Sequence, residues 1–492
     1  MTVATALALR SDRELLVDHH LIDVLEGASL RLHHPVPREV VLKTDRPWEG
    51  NMNAFNTLIE VDGVYRLYYR GWQVDLQAKS DAEGKVVSGL NAAHTPTICM
   101  ATSSDGRHWA RPDLGVAEFA GSRANNIVFQ ELGWHGFSPF LDTNPDAKPD
   151  ERFKAVGVND GAKPISLLTF ASPDGIHWRP LLDAPILAGK GDFDSHNLVY
   201  WDQRVGRYRC YLRLNRQVDG KRVRDIMTTT SPDLREWDEP VLLQYAGVPY
   251  EELYTNNVQA YYRAPQLYVG LPARYVERLP WSPTMDQLPE REHRELRSAT
   301  SMRYGTAVSD AVLMTSRDGQ HFRRWGEAFI RPGLRTVGSW TYGDIYPAWG
   351  ILETVADTPG GEPELSIYAS EGYWRGRGSS VRRYSLRVDG FVSLNAPLAG
   401  GRMRTKVLTF TGSRLSLNVS TSAAGGMRIG ILDAAGAPIP GFGMDDCWEI
   451  VGDTLDYTVT WRDGSDLSAL AGRPIRLDIQ LSDADLYSLQ FC

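Results

Sequence analysis

Four copies of one short turn constrain this chain more than any other feature. The stretches "TSSDGRHW" (102–109), "ASPDGIHW" (171–178), "TSPDLREW" (230–237) and "TSRDGQHF" (315–322) all fit S-x-D-(G/L)-x-x-(W/F). Asp-Gly reverses a chain readily. Gly accepts positive φ without steric cost, and an Asp side chain hydrogen-bonds the backbone two residues on. Around the second copy, Leu167, Leu168 and Phe170 precede the turn and Trp178 follows it, the pattern of a hairpin. A degraded fifth copy is expected at "YASEGYW" (368–374), with Glu371-Gly372 in place of Asp-Gly. One hairpin recurring at such intervals indicates a repeat architecture whose units bury their faces only against one another.

The intervening text is strand text. "NTLIEVDGVYRLYYRG" (56–71), "NLVYWDQRVGRYRCYLRL" (197–214) and "NNVQAYYRAPQLYVGLP" (256–272) each give strand, turn, strand, with the S-x-D-G element following later. The repeated turn then joins the third and fourth strands of a blade. Helical periodicity is confined to short polar pieces such as 285–296. The chain is expected to be all-β, with a five-bladed β-propeller over residues 1–384 and blades beginning near 51, 135, 194, 254 and 344. From 385 to 492 the turn disappears, and short alternating strands separated by Gly, Asp and Ser predict a C-terminal β-sandwich.

Composition narrows the function classes. No run of 18 apolar residues offers a membrane span. The net charge of −8 comes without any basic block, which argues against a nucleic-acid partner. Cys99, Cys210, Cys447 and Cys492 lie far apart with no CxxC pair, so neither zinc nor a disulfide framework is expected. The start "MTVATALALRSDRE" has no basic segment before its apolar patch. With the cysteine usage, this gives a cytoplasmic expectation. Fourteen Trp and 21 Tyr exceed what blade packing needs, and an aromatic face stacks well on a sugar ring, so a carbohydrate is the expected partner.

In a propeller the innermost strands line one axial channel, and the residues at their starts converge on one pocket. Those starts carry Glu49, Asp142, Asp194, Glu251 with Glu252, and Asp344. Glycoside hydrolysis needs two carboxyl groups flanking the bond, and crowding in a funnel separates their pKa values. Asp194, Glu251 and Glu49 are the catalytic candidates. Trp48, His135, Asp142, His196, Asn197, Glu252, Asn256 and Asp344 are the candidates for binding substrate. Adjacent Glu251 and Glu252 cannot both face the channel in extended chain, and Glu251 is preferred. Asp105, Asp174 and Asp318 are explained by their turns alone. The alternative for Asn197 and Asn256 is that they hold the strand starts together. For His135 and His196 it is a satisfied place in the core.

Five blades followed by a sandwich resemble the clan of invertases, levanases and arabinanases, glycoside hydrolase families 32 and 43. The invertase N-D-P-N-G stretch and its G-x-Y-H-x-F-Y hairpin are paralleled by Asn53-Ala54-Phe55-Asn56-Thr57 and by Gly63 to Tyr69. Ala54 stands where the nucleophilic Asp of that family would be. The R-D-P element resembles Phe193-Asp194-Ser195, and the Glu-Cys element resembles Glu251-Glu252. The "PWEG", "FDSHN" and "LYTN" text is more similar to a less defined bacterial group of the same architecture. The sialidase box, S-x-D-x-G-x-x-W, spaces Asp and Gly differently.

The resemblance implies a glycosidase, exo-acting in a funnel closed at one end, with a furanoside slightly preferred. A glycoside phosphorylase, with phosphate on Arg263, Arg274 or Arg303, and a non-catalytic glycan-binding propeller are the alternatives. No cofactor or catalytic metal is expected. The Asp and Asn oxygens at the channel are compatible with a structural Ca²⁺.

Overall fold

The computed structural model describes residues 6–80, 86–356, 358 and 360–492. It is built mostly of strands, arranged in a propeller-like way. Three four-stranded sheets follow one another along the chain. The first joins Thr57–Val61, Val64–Gly71, Thr97–Ser103 and Ile127–Phe129. The second joins Ser138–Leu141, Phe153–Asn159, Ser166–Ser172 and Arg179–Pro180, and the third joins Leu198–Asp202, Arg207–Val218, Lys221–Ser231 and Val241–Leu242. A seven-stranded sheet then runs from Gln244 to Ile330, and a five-stranded one contains Tyr346–Pro347, Glu364–Glu371 and Ser380–Arg387.

The repeated turn acts as its chemistry dictates. In the first copy Ser103 Oγ accepts the N–H groups of Asp105 and Gly106, and Asp105 Oδ1 accepts those of Arg107 and His108. Trp109 Nε1 donates to Gly106 O and fixes the exit. The same Ser–Asp network recurs at Ser172, Ser231 and Ser316. Leu234 replaces Gly in the third copy and keeps the left-handed backbone, with φ of 70°. Each copy closes the third strand of its sheet, counted outward from the innermost strand.

The fifth copy departs from this pattern. Glu371-Gly372 ends the second strand of the five-stranded sheet, Glu364–Glu371, and not the third. The third strand, Ser380–Arg387, is never joined to a fourth by a turn. Its outer partner is Val36–Lys43, from the other end of the chain, with Ser380 opposite Lys43 and Ser385 opposite Val36. A turn motif has no place where no turn is made.

Residues before this strand also leave the region expected of them. Leu7–Arg10, Glu14–Leu15, Ile22–Glu26 and Ser29–Leu32 hydrogen-bond into the ten-stranded sheet of the C-terminal region. That sheet is dominated by two long strands, Leu415–Asp433 and Ile475–Phe491, where short ones were expected. The Gly and Asp positions that suggested breaks are irregularities within continuous pairing, as between Thr421 and Gly426. Its core packs Phe410, Ile429, Trp461, Leu477 and Phe491 together. Buried Asp389 ties the two regions: it accepts from Tyr261 and Ser488, both at 2.8 Å, and faces Arg263 and Arg13.

In the first, third and seven-stranded sheets, the link between the second and third strands is enlarged on the side where the inner strands begin. The first carries the hairpin Val74–Ser80 with Val86–Ala92, and the third prolongs both of its strands. The seven-stranded sheet inserts the helices Arg291–Thr300 and Met302–Thr306. His293 bonds to Trp374 O, and Arg297 donates to Tyr373 O, so the first helix lies against the loop after Glu371. These additions roof one end of the axis.

Candidate active site

The inner strands are tied together just below this roofed end. His196 Nδ1 lies 3.2 Å from Asn257 Oδ1, and its Nε2 lies 3.2 Å from Thr57 Oγ1. Because Asn257 Nδ2 donates to Pro347 O, its Oδ1 faces the imidazole, so His196 carries its proton on Nδ1. Burial pushes the imidazole down to about 3 and leaves it neutral. Asn256 Nδ2 donates to His196 O, and Asn197 Nδ2 donates to Phe193 O. All three side chains are buried. His196 and Asn256 therefore knit neighbouring sheets together beneath the mouth, while Asn197 braces the start of its own strand, and none of the three presents itself to a ligand.

Above this knot lies the mouth itself. Phe193, wholly buried and held at a φ of 50°, anchors a short loop that presents Asp194. The Asp194 side chain is 58% exposed. Its Oδ2 accepts from Arg213 Nη2 at 2.8 Å, and His135 Nε2 lies 3.4 Å from Oδ1. Partial desolvation would raise its pKa, but His135 and the Arg213 guanidinium outweigh that and hold it well below the usual carboxylate range. His135 Nδ1 also meets Asp160 at 2.8 Å. Each ring nitrogen faces a carboxylate oxygen, and although burial opposes the charge, the two carboxylates raise the pKa.

Aromatic rings adjoin both partners of Asp194, Trp134 on His135 and Tyr254 under Arg213. Tyr254 stacks on Phe55 with ring centres 6.4 Å apart and lies near Tyr275, Tyr342 and Tyr346. Arg213 and Arg224 lie over the Tyr254 ring, at 5.4 and 5.2 Å. Arg224 also holds Glu252, with Nη1 2.8 Å from Oε2. A neighbouring cavity of about 220 Å³ is walled by Trp72, Tyr304, Tyr342, Tyr373 and Trp374.

The other expected site residues go elsewhere. Glu49 is 0% exposed, and the structure does not bring it to Asp194. It lies by the seam between the first sheet and the five-stranded sheet, where Tyr69 packs with Leu42, Tyr368 and Val381. Tyr69 donates to its Oε1 at 2.5 Å, and Arg46 N–H and Arg111 donate to its Oε2, both at 2.9 Å. Burial raises its pKa in spite of these bonds. Trp48, beside it, donates to Asn126 Oδ1 at 2.7 Å.

Glu251 points away from its neighbour Glu252, as strand alternation requires. Its two oxygens pair with Arg274 and with buried Arg324. Asp142 accepts from Tyr208 and Lys154 at the far end of an inner strand. Asp344 is buried under the roof, with Oδ1 unpartnered, and burial beside Glu371 pushes it up to about 8. It lines a separate groove of about 1160 Å³ between the outer edges of the seven-stranded and five-stranded sheets. Among the described residues, no group of three His, Cys, Asp or Glu side chains could hold a metal ion.

Arg70, Arg213, Arg224 and Tyr254 were not anticipated. The first two occupy one equivalent place, the mouth end of a sheet's second strand, in "YYRG" and "YLRL". That parallel was present in the text.

No family model matches the chain, and no curated protein does. Among solved structures it is similar to an N-acetylgalactosamine deacetylase from F. plautii in complex with blood group B trisaccharide. The identity is 14% and the TM-score 0.42, over 72% of this chain and 95% of that one. It is also similar to a β-1,2-mannobiose phosphorylase from Listeria innocua, with 12% identity, a TM-score of 0.40, and 73% and 97% of the two chains covered. A glycosyl hydrolase from Bacteroides ovatus gives 15%, 0.36, 74% and 96%.

Proposed function

We propose that this chain is a carbohydrate-active enzyme that hydrolyses a glycosidic bond at the roofed mouth, acting on the end of a small glycan. The observation that carries the reading is Asp194. It is an exposed carboxylate at the start of an inner strand, kept charged by Arg213, which lies over the Tyr254 ring, and by His135, on which Trp134 stacks. A fixed negative charge there would stabilise an oxocarbenium-like transition state. The second carboxylate in this reading is Glu252, in place of Glu251. Arg224 holds its Oε2 and keeps it beside Tyr254, whereas Glu251 is spent on two arginines.

In this reading the seven-stranded and five-stranded sheets are the fourth and fifth blades, and the C-terminal strands form a sandwich that buttresses them. No cofactor takes part. Hydrolysis is preferred to phosphorolysis because two of the three arginines expected to hold phosphate are already paired. Arg263 meets Asp389, and Arg274 meets Asp310 and Glu251. The furanoside preference stays within the proposal.

The test is a screen of aryl furanosides and pyranosides with the purified chain, with and without phosphate and with and without a chelator. Phosphate-independent release that survives chelation supports the reading. Phosphate-dependent release replaces it with phosphorolysis. Sugar binding with no release makes the chain a glycan-binding propeller.

A further inference from the structure

The cavity of about 220 Å³ beside the mouth is built from parts that a plain four-stranded sheet does not need. Leu90 and Ala92 come from the added hairpin strand Val86–Ala92, and Tyr304 comes from the inserted helix Met302–Thr306. Tyr373 and Trp374 come from the loop after Glu371, and Trp72 directly follows Val64–Gly71. Leu90 is 55% exposed and Ala92 is exposed too, so the cavity opens to solvent beside the hairpin. Rings close it elsewhere. Tyr304 packs on Tyr342 and on Trp374, both at 5.4 Å, and Tyr342 meets Tyr373 edge-on at 5.9 Å.

Contacts lead from these walls to both partners of Asp194. Tyr342 donates to the Tyr254 hydroxyl at 3.1 Å, and Arg213 lies over the Tyr254 ring. Trp72 packs on Trp134 at 5.5 Å, and Trp134 stacks on His135 at 5.4 Å. The cavity is thus continuous with the packing that fixes the carboxylate.

What the walls offer decides what they take. None of them carries a charge. The hydroxyl of Tyr342 is engaged with Tyr254, that of Tyr373 with Arg70, and that of Tyr304 with Arg303. The indole N–H groups of Trp72 and Trp374 are buried. An anion finds no counter-charge here. A cation finds rings, but Arg70 already lies over Trp72 and Arg297 over Trp374, at 5.5 and 5.2 Å, and no carboxylate lines the space. A sugar hydroxyl brought in would lose its water and gain no side-chain partner, the unfavourable case of an unmade hydrogen bond. A methyl group in its place would bury apolar surface instead.

We propose that this cavity takes a 6-deoxy sugar, with the C6 methyl group against the aromatic walls and the ring hydroxyls toward the mouth. The inference rests on the reading of the mouth as a sugar-cleaving site and gives its substrate class as a neutral glycan with a deoxyhexose residue. An acetamido group suits the walls less well, because its N–H and carbonyl would need partners that they lack. At about 220 Å³ the space lies below the range of about 300–1,000 Å³ that encloses a drug-sized ligand, so it suits one ring and not a chain of them.

Titrations of the full chain followed by saturation-transfer NMR test this with free sugars, which have no bond to cleave. The pairs are L-rhamnose against L-mannose, L-fucose against L-galactose, and 6-deoxy-D-glucose against D-glucose, the members of each differing by one hydroxyl. In at least one pair the deoxy sugar should bind at least about 10-fold more tightly, with its methyl protons the most strongly saturated. Ala92→Trp, which plugs the cavity from an exposed position, should abolish that preference, and Tyr304→Ser, which removes a wall, should weaken it several-fold. Thermal melting checks folding, and an undiminished preference in either folded variant would overturn the proposal. No preference in any pair, no binding of any sugar, or strongest saturation away from the methyl group would also overturn it. If the deoxy sugars bind as expected but no glycoside is cleaved, the hydrolase reading fails and this one stands. If glycosides are cleaved and no deoxy preference appears, this inference fails alone.

Discussion

Arg213 and Asp194 meet at 2.8 Å with opposite exposures, the guanidinium 6% exposed and the carboxylate 58%. The buried cation is part of the wall, and the anion it fixes is the part that faces out. This division is what a preorganised charge requires, because the group that orients must not move when the group that acts meets its ligand.

Replacing Asp194 by Asn keeps the shape and removes the charge. If the mouth cleaves glycosides, turnover per folded molecule should fall by about 10²-fold or more, about 2.7 kcal/mol in barrier, and the melting temperature should fall as well, because buried Arg213 loses its counter-charge. Initial rates beside a thermal melt check both halves, and near-normal turnover would refute the role.

The adjacent glutamates should separate cleanly. Glu252→Gln weakens the Arg224 contact beside Tyr254 and should lower kcat by at least about 10-fold, most with poor leaving groups. Glu251→Gln should leave kcat within about 2-fold and lower the melting temperature, because Arg274 and buried Arg324 lose their counter-charge. Leaving-group series on the two variants decide which face of the strand does the chemistry.

Glu49 should behave as a structural acid. In Glu49→Gln an amide N–H₂ replaces an oxygen that now accepts from Arg46 N–H and Arg111. The loss should be about 1–3 kcal/mol in urea unfolding, with activity per folded molecule unchanged. A catalytic collapse without a loss of stability would overturn this.

Asp344 sets a pH dependence whose sign is opposite to that of a paired carboxylate. Its folded pKa of about 8 lies above the reference 3.8, so the folded chain holds a proton that the unfolded chain releases. Its contribution is therefore full below the reference value, declines as pH rises and is lost by about pH 8. Asp344→Asn should flatten the fall in melting temperature between pH 5 and pH 8.5. An unchanged slope would show that this carboxyl does not control it.

Much of the architecture was legible because its signals are local. The Ser–Asp turn depends on a few consecutive residues, so text alone placed four turns at the ends of third strands. The closure of the last propeller sheet depends on Val36–Lys43 meeting Ser380–Arg387, a pairing that leaves no mark in either segment. The same limit applied to the site. Asp194 could be placed at the start of an inner strand, but the direction in which Glu49 points depends on Tyr69 and Arg111, brought to it by folding. For Glu251 and Glu252, alternation showed that only one could face inward. Glu252 meets Arg224 and Glu251 meets Arg274 and Arg324, contacts that no local signal announces.

The outer strand Val36–Lys43 has a consequence for the order of assembly. It is made more than three hundred residues before its partner Ser380–Arg387, and Glu14–Leu15 waits longer still for Ile475–Phe491. The five-stranded sheet cannot close until Ser380–Arg387 has emerged, nor the ten-stranded sheet until Ile475–Phe491 has, so their unpaired edges stay exposed through that interval. Final closure is thus a late step that couples the maturation of the mouth to that of the C-terminal sheet.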